Sequence, residues 1–170
     1  MANKGVFIAE NMASTKVGSL LRSATQSTAI ENGSIVKLGD LVTGETDLYQ
    51  AGAIAAVTDT AYFVDGVELI ADEQLTKGLD DYENPANKPF RVRKPMVGDR
   101  FSVSESMITA LANDKVVVDN IAEIAAGNKL VEVAKDTGAT ATAKLVCKIV
   151  ARWTFGTRAI PMVRLEVVKA

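Results

Sequence analysis

The sequence predicts a mainly β fold: a small β-barrel or sandwich with one short helix, behind an extended N-terminal arm. Three observations support this prediction. Residues 145–153 and 162–167 show a side-chain pattern with a period of two, as half-buried strands do. Asn32-Gly33 and Asp65-Gly66 are dipeptides typical of tight hairpin turns. About nine short apolar runs, separated by turn residues, follow one another along the chain, as in small barrels and sandwiches.

The arm is assigned to residues 1–30, and a β-barrel-like domain to residues 31–170. The arm is rich in Ser, Thr, Ala and Asn, and its large apolar residues follow neither a helical nor an alternating pattern. A terminal segment is ordered only where other protein holds it. Two interpretations follow: the arm packs on its own domain, or it lies across neighbouring subunits. In the second case the candidate contact residues are Asn11, Met12, Val17, Leu20, Leu21 and Arg22.

Short apolar runs predict the strands of the body. These predicted strands are 34–38, 53–57, 62–64, 67–70, 90–93, 101–103, 115–118 and 130–133. Residues 104–112 predict the short helix, because Ser104 can cap it and its apolar residues share one helical face.

The C-terminal hairpin is the clearest element of the sequence. In its first strand Leu145, Cys147, Ile149, Ala151 and Trp153 share one face, and in its second strand Val163, Leu165 and Val167 do so. Each large apolar side chain that becomes buried contributes about 1.5–3 kcal/mol. We therefore expect this hairpin to lie at the centre of the core.

The composition excludes several classes of chemistry. The chain has 170 residues, no histidine and a single cysteine, Cys147. A Ser-His-Asp triad, a Cys-His pair, a CxxC redox pair and an internal disulfide are therefore excluded. No phosphate-binding glycine motif or calcium loop is present, so we expect no cofactor and no metal. The net charge of −2 and the lack of exposed aromatic residues in the basic stretch argue against direct nucleic-acid binding.

One short motif suggests an enzyme. Asp136-Thr137-Gly138-Ala139 matches the local sequence around the catalytic aspartate of retropepsin-like aspartic proteases, in which two such aspartates share a proton across a dimer. The alternative is a turn between two strands, for which Asp, Thr and Gly are all favoured.

Charged residues are segregated in the middle of the chain. Residues 65–83 are acidic and residues 88–100 are basic. Either these are two solvated faces, or the acidic patch of one copy meets the basic patch of the next and sets the register of subunits. The residues of the second interpretation are Asp72, Glu73, Asp80, Asp81, Arg91, Arg93 and Lys94.

The chain lacks the apolar core of a signal peptide and any run long enough to span a membrane. We therefore expect it to be made in the cytoplasm and to have no membrane partner.

Three stretches of the sequence resemble the capsid decoration, or cement, proteins of tailed bacteriophages. They are residues 1–14 leading to 32–36, residues 95–105, and residues 143–150 followed by 154–156 and the last strand. The resemblance spans most of the chain.

This resemblance implies a non-enzymatic protein on the capsid surface of the virion that stabilises the shell. The partners it implies are the major capsid protein and neighbouring copies of the chain, in a homo-oligomer for which a trimer is one option. Another phage structural subunit, such as a head-fibre base or a tail-associated protein, and the protease dimer that uses Asp136 are the alternatives.

Overall fold

The computed structural model describes residues 4–66, 79–112 and 115–170. This part of the chain consists of β-strands, short 3-10 turns and loops, so the predicted mainly β fold with a barrel is confirmed. The strands are β1 (Phe7–Asn11), β2 (Leu21–Thr25), β3 (Ile35–Leu41), β4 (Leu48–Gly52), β5 (Tyr62–Val64), β6 (Phe90–Arg93), β7 (Arg100–Ser104), β8 (Ile108–Thr109), β9 (Ile121–Ile124), β10 (Leu130–Val133), β11 (Val146–Phe155) and β12 (Ile160–Lys169).

Seven of these strands form one sheet in the order β1-β7-β12-β11-β9-β10-β8. The hairpin of β11 and β12 occupies its centre, as the alternation predicted. Cys147 lies opposite Val167, and Ile149 lies opposite Leu165. All four side chains are buried, because this face of the hairpin covers the core. The register shifts between Ile149 and Ala151, which marks a β-bulge.

The other five strands close into a barrel in the order β2-β4-β3-β5-β6. Closure depends on β2, which pairs with β4 in parallel and with β6 in antiparallel orientation. A closed barrel leaves no unpaired edge among its strands. Its interior is filled by small and medium apolar side chains and one aromatic ring, namely Ala24, Ile30, Val36, Ala51, Val64, Phe90 and Val92.

The sheet and the barrel share one core. Phe63 belongs to barrel strand β5, whereas Phe7 and Phe101 belong to sheet strands β1 and β7. The ring centroid of Phe63 lies 5.7 Å from that of Phe7 and 4.5 Å from that of Phe101. Ile35, at the start of β3, is also in this cluster. Because the same apolar cluster includes side chains from both sheets, we expect them to fold as one cooperative unit.

The segment assigned to the arm packs on its own chain, which is the first of the two interpretations. β1 pairs with β7 in the large sheet, and β2 completes the barrel. Phe7 of β1 and Ala24 of β2 are buried. A boundary at residue 30 would separate both strands from their pairing partners, so the described residues 4–30 belong to the body. Two 3-10 turns, Ala13–Thr15 and Gly18–Leu20, connect β1 to β2.

The predicted helix at residues 104–112 is wrong in type. Ser104 ends β7, a three-residue 3-10 turn covers Glu105–Met107, and Ile108–Thr109 form β8. β8 pairs with β10 in parallel, so hydrogen bonds to another strand replace those of a helix. Met107 and Ile108 are both buried, whereas Leu111, expected on the same face, is 57% exposed.

Two predicted strands are also wrong. Residues 53–57 make only an isolated bridge between Ile54 and Gly127, and the strand lies just before them, at β4. Residues 115–118 form no strand among the described residues, because the backbone N–H groups of Val116 and Val117 donate to the carboxylates of Glu105 and Glu132. The strand nearby is β9. The predicted strand 67–70 lies outside the described residues.

Candidate interaction surface

The six arm residues occupy different environments. Met12 is only 2% exposed and belongs to the shared core, so it is not a surface contact residue. Asn11 and Val17 are exposed, and Leu20 is half-buried. Leu21 and Arg22 lie on β2, opposite Arg93 and Val92 of β6. The fold thus places Leu21 and Arg22 beside the basic stretch, where both line a shallow groove together with Arg91.

Two residues of the basic patch are paired inside the chain. Nη2 of Arg91 lies 2.8 Å from Oδ2 of Asp65, and Nε of Arg91 donates to the Asp65 carbonyl oxygen at 3.0 Å. Arg93 Nε donates to the same Asp65 carboxylate oxygen, and its Nη1 donates to Ser14 Oγ at 3.2 Å. Arg93 is buried. Asp65 therefore neutralises charge on Arg91 and Arg93. The intersubunit interpretation pairs these two arginines with the acidic patch of a neighbouring copy.

The described residues of the acidic patch are paired in the same way. Nη1 of Arg158, in the turn between β11 and β12, lies 3.0 Å from Oδ1 of Asp80 and 2.7 Å from Oδ2 of Asp81. The hydrogen bond to Asp81 and the charges of both aspartates raise the pKa of Arg158. These ion pairs attach the β11–β12 turn to the 3-10 turn Leu79–Asp81. Asp72 and Glu73 lie outside the described residues.

Four of the residues assigned to the charged patches form ion pairs within the chain. Arg91, Arg93, Asp80 and Asp81 each meet an opposite charge on their own chain. These pairs connect Asp65 to β6 and the β11–β12 turn to the 3-10 turn Leu79–Asp81. Contact of the patches with a second copy stays a prediction. The remaining basic residue, Lys94, is considered below.

Asp136 lies in a turn, as the alternative to the protease interpretation predicted. The backbone N–H groups of Thr137 and Gly138 donate to the carbonyl oxygen of Ala134 at 3.1 and 3.2 Å. Gly138 has a φ of +72°, in the left-handed region that glycine adopts without strain. Asp136 is exposed to solvent at this turn between β10 and β11.

Cys147 is fully buried on β11, and this burial raises the pKa of its thiol. A thiol that remains protonated is a poor nucleophile.

Within the described ranges, no group of three or more His, Cys, Asp or Glu side chains is arranged to hold a metal ion. No helix in those ranges has the length and hydropathy that a membrane crossing requires.

A surface depression with a mainly apolar lining lies next to the β6–β7 connection and is here called the Met96 groove. Its cavity volume is about 400 Å³. Ala61, Pro95, Met96, Val97 and Leu145 supply its apolar lining, and the other residues lining it are Thr60, Lys94, Lys144 and Ala170. Val97 is 65% exposed and Met96 is 40% exposed. The groove therefore combines exposed apolar side chains with two lysines.

The turn that carries Met96 and Val97 is held by several hydrogen bonds. The Asp99 carboxylate accepts the N–H of Met96 at 2.9 Å and that of Ala13 at 2.8 Å. The Asp99 N–H donates to the Met96 carbonyl oxygen at 3.0 Å. Gly98 turns the chain with a φ of +90°, and its N–H donates to the carbonyl oxygen of Val167 in β12 at 2.8 Å. The exposed apolar pair thus lies on a turn fixed to the central hairpin.

A second exposed apolar surface lies in the loop after β8, which is an edge strand of the large sheet. The buried carboxylate of Glu132 accepts the N–H groups of Leu111 and Val117, at 2.9 and 2.8 Å. It also accepts a hydrogen bond from Nδ2 of Asn120 at 2.7 Å. The side chains of Leu111 and Val117 are 57% and 55% exposed. In the described residues this loop has no lysine pair comparable with that of the Met96 groove.

Reasoning from the sequence did not identify the Met96 groove. From the sequence, Lys94 is assigned only to the basic patch, and residues 95–105 only to the stretches that carry the resemblance. A usable signal was present: Pro95, Met96 and Val97 are three consecutive apolar residues before Gly98-Asp99, a turn sequence. Apolar residues at a turn have no sheet face to cover. Lys144 and Leu145, however, approach the groove only through the tertiary fold.

Comparison with known proteins found no matching family model, no matching curated protein and no matching solved structure.

Proposed function

We propose that this chain is a non-enzymatic structural protein of a tailed phage that binds the outer surface of the head and stabilises the capsid shell. Its partners in this proposal are the major capsid protein and neighbouring copies of the chain. The sequence resemblance to capsid decoration proteins motivates the proposal. The observation that carries it is the apolar pair Met96 and Val97, exposed on a turn that hydrogen bonds to the 3-10 turn Ala13–Thr15 and to β12 hold in place.

The physical argument concerns the free energy of binding. Exposed apolar side chains that stand together on a protein surface are typical of contact sites. A turn that is already fixed loses little conformational entropy when a partner covers it, so more of the contact energy appears as affinity. The hydrogen bonds that connect this turn to Ala13 and Val167 hold it in one conformation.

Stabilisation of a shell requires no catalytic group. Any protein that binds the assembled shell and not its separated subunits shifts the equilibrium toward the shell by mass action. A copy that touches more than one coat subunit adds the effect of multivalency, because its second contact forms at high effective concentration. A chain without histidine and with a buried cysteine can fulfil this role.

The test uses heads assembled from the major capsid protein of the phage that encodes this chain, prepared without the chain. Purified chain is added to the expanded heads, and bound protein is measured by co-sedimentation. We expect saturable binding at a fixed ratio to coat subunits and a higher temperature of head rupture. No binding to heads would reject the proposal.

Electron microscopy of virions separates this function from the nearest alternative. Density for the chain over the capsid lattice is the expected result. Density confined to a fibre base or to the tail would reject head decoration and assign the chain to another structural position in the same particle.

A further inference from the structure

We infer that the Met96 groove is the docking site for an extended, acidic segment of the shell protein, with an apolar side chain of that segment seated against Met96 and Val97. This inference rests on the proposed function and specifies the surface and the chemistry of the contact.

The shape and lining of the groove favour a peptide segment as its occupant. A volume of about 400 Å³ admits a few side chains and is small for a folded element. The apolar floor is made by residues from separate parts of the chain, including Ala61, Pro95 and Leu145. An apolar side chain seated there would remove Met96 and Val97 from water, which is favourable in proportion to the apolar area covered.

The charge of the groove favours an acidic partner. Lys94 and Lys144 both line it, and no Asp or Glu side chain does so within the described residues; the last residue, Ala170, adds one carboxylate. Neither lysine forms an ion pair in those residues, in contrast with Arg91 and Arg93, which both pair with Asp65. Two ammonium groups beside an apolar surface attract a segment that carries carboxylates next to an apolar residue.

The backbone around the groove is already in a fixed conformation. The N–H of Val167 donates to the carbonyl oxygen of Asp99 at 2.9 Å, and the N–H of Lys94 donates to that of Leu20 at 2.9 Å. The N–H of Lys144 donates to the carbonyl oxygen of Val57 at 2.8 Å. Each lysine therefore extends from backbone that is bonded to another part of the fold, so its point of attachment beside the groove is fixed before binding.

The first experiment measures the affinity of variants for heads that lack the chain. The charge variant is Lys94→Glu with Lys144→Glu, and its matched control is Lys16→Glu with Lys88→Glu, two exposed lysines outside the groove. The apolar variant is Met96→Ser with Val97→Ser, and its matched control is Leu111→Ser with Val117→Ser. Circular dichroism and thermal unfolding of each free variant verify that it folds.

We expect both groove variants to bind heads at least about tenfold more weakly than the unsubstituted chain, and both controls to bind within about threefold of it. Added salt should weaken binding of the unsubstituted chain and have less effect on the Lys94→Glu, Lys144→Glu variant, because screening acts on the lysine contacts. If the unsubstituted chain binds heads and the groove variants bind equally well, the docking site is rejected and the proposed function stands. If the unsubstituted chain does not bind heads, both are rejected.

The second experiment identifies the occupant. A photo-crosslinking amino acid is placed at position 97, the chain is bound to heads and irradiated, and the crosslinked peptides are sequenced. We expect a segment of the shell protein with Asp or Glu beside an apolar residue. Crosslinks to a second copy of this chain, or to a basic segment of the shell protein, would overturn the inference.

Discussion

The ring of Phe63 in the closed barrel packs against the ring of Phe101 in the seven-stranded sheet, with 4.5 Å between their centroids and an angle of 54° between their planes. Both side chains are fully buried. Such tilted aromatic pairs contribute about 0.5–1.5 kcal/mol beyond the apolar area that they bury. This contact joins two sheets that share no strand.

The first prediction concerns this shared core. Replacement of Phe101 by Ala should lower the free energy of unfolding by about 3–5 kcal/mol, because it leaves a cavity where the barrel meets the sheet. Denaturant titration followed by both Trp153 fluorescence and far-ultraviolet circular dichroism measures this change. The two signals should remain coincident, since sheet and barrel lose the same contact.

The exposed Val97→Ala variant is the control for Phe101→Ala and should change stability by less than about 0.5 kcal/mol. Two separate unfolding transitions in the unsubstituted chain would contradict the single core.

The second prediction concerns the buried ion pair. Asp65→Asn keeps the shape of the side chain and removes the charge that faces Arg93, which is only 8% exposed. Loss of one partner of a buried pair costs about 3–5 kcal/mol, because the other charge stays buried without compensation. Urea denaturation measures the loss. Asp47→Asn, at an exposed site, is the matched control, and an equal effect of the two substitutions would refute the structural role of Asp65.

The third prediction follows from the buried thiol. Burial raises the pKa of Cys147, so the folded chain keeps the thiol protonated at pH values where the unfolded chain loses the proton, above about pH 8.5. The unfolded state then binds fewer protons, and stability falls as the pH rises. The contribution of the thiol to the free energy of unfolding is complete below the pKa that the thiol has in the unfolded chain. Above that pKa the contribution decreases by up to about 1.4 kcal/mol per pH unit.

Cys147→Ala removes the titrating group and tests this dependence. We expect the free energy of unfolding of the unsubstituted chain to fall more steeply than that of Cys147→Ala between about pH 8.5 and pH 10. Below that range the two curves should run parallel. Parallel curves over the whole range would show that the thiol ionises equally in both states.

The fourth prediction concerns the N-terminal segment. Deletion of residues 1–28 removes β1 and β2, and so opens the barrel and exposes one side of β7. We expect the shortened chain to lose its cooperative thermal transition. Val17→Ser, at a side chain that is 46% exposed, should leave the transition within a few degrees of its original temperature.

A stable, cooperatively folding chain without residues 1–28 would contradict the pairing of β1 and β2 with the body. The Val17→Ser variant also provides the sounder test of whether this segment contacts neighbours on a head, because it leaves the fold intact.

The sequence by itself determined the class of the fold and its central element. The alternation along β11 and β12 is local information. In an extended chain, residues two positions apart lie on the same face, and this geometry does not depend on the rest of the protein. The absence of histidine excluded histidine-dependent catalysis in the same direct way.

Only the tertiary structure decided which short segments became strands and which surface residues came together. Residues 7–11 and 21–25 carry weak patterns and became strands because β7 and β6 offer them backbone partners. Asp65 contacts Arg93, and Lys94 lines the same groove as Lys144 and Leu145. These residues are too far apart in the sequence for a local hydrophobic pattern to predict that they lie together. Long-range pairing depends on the whole packed chain, because each partner is fixed by elements that the local sequence does not contain.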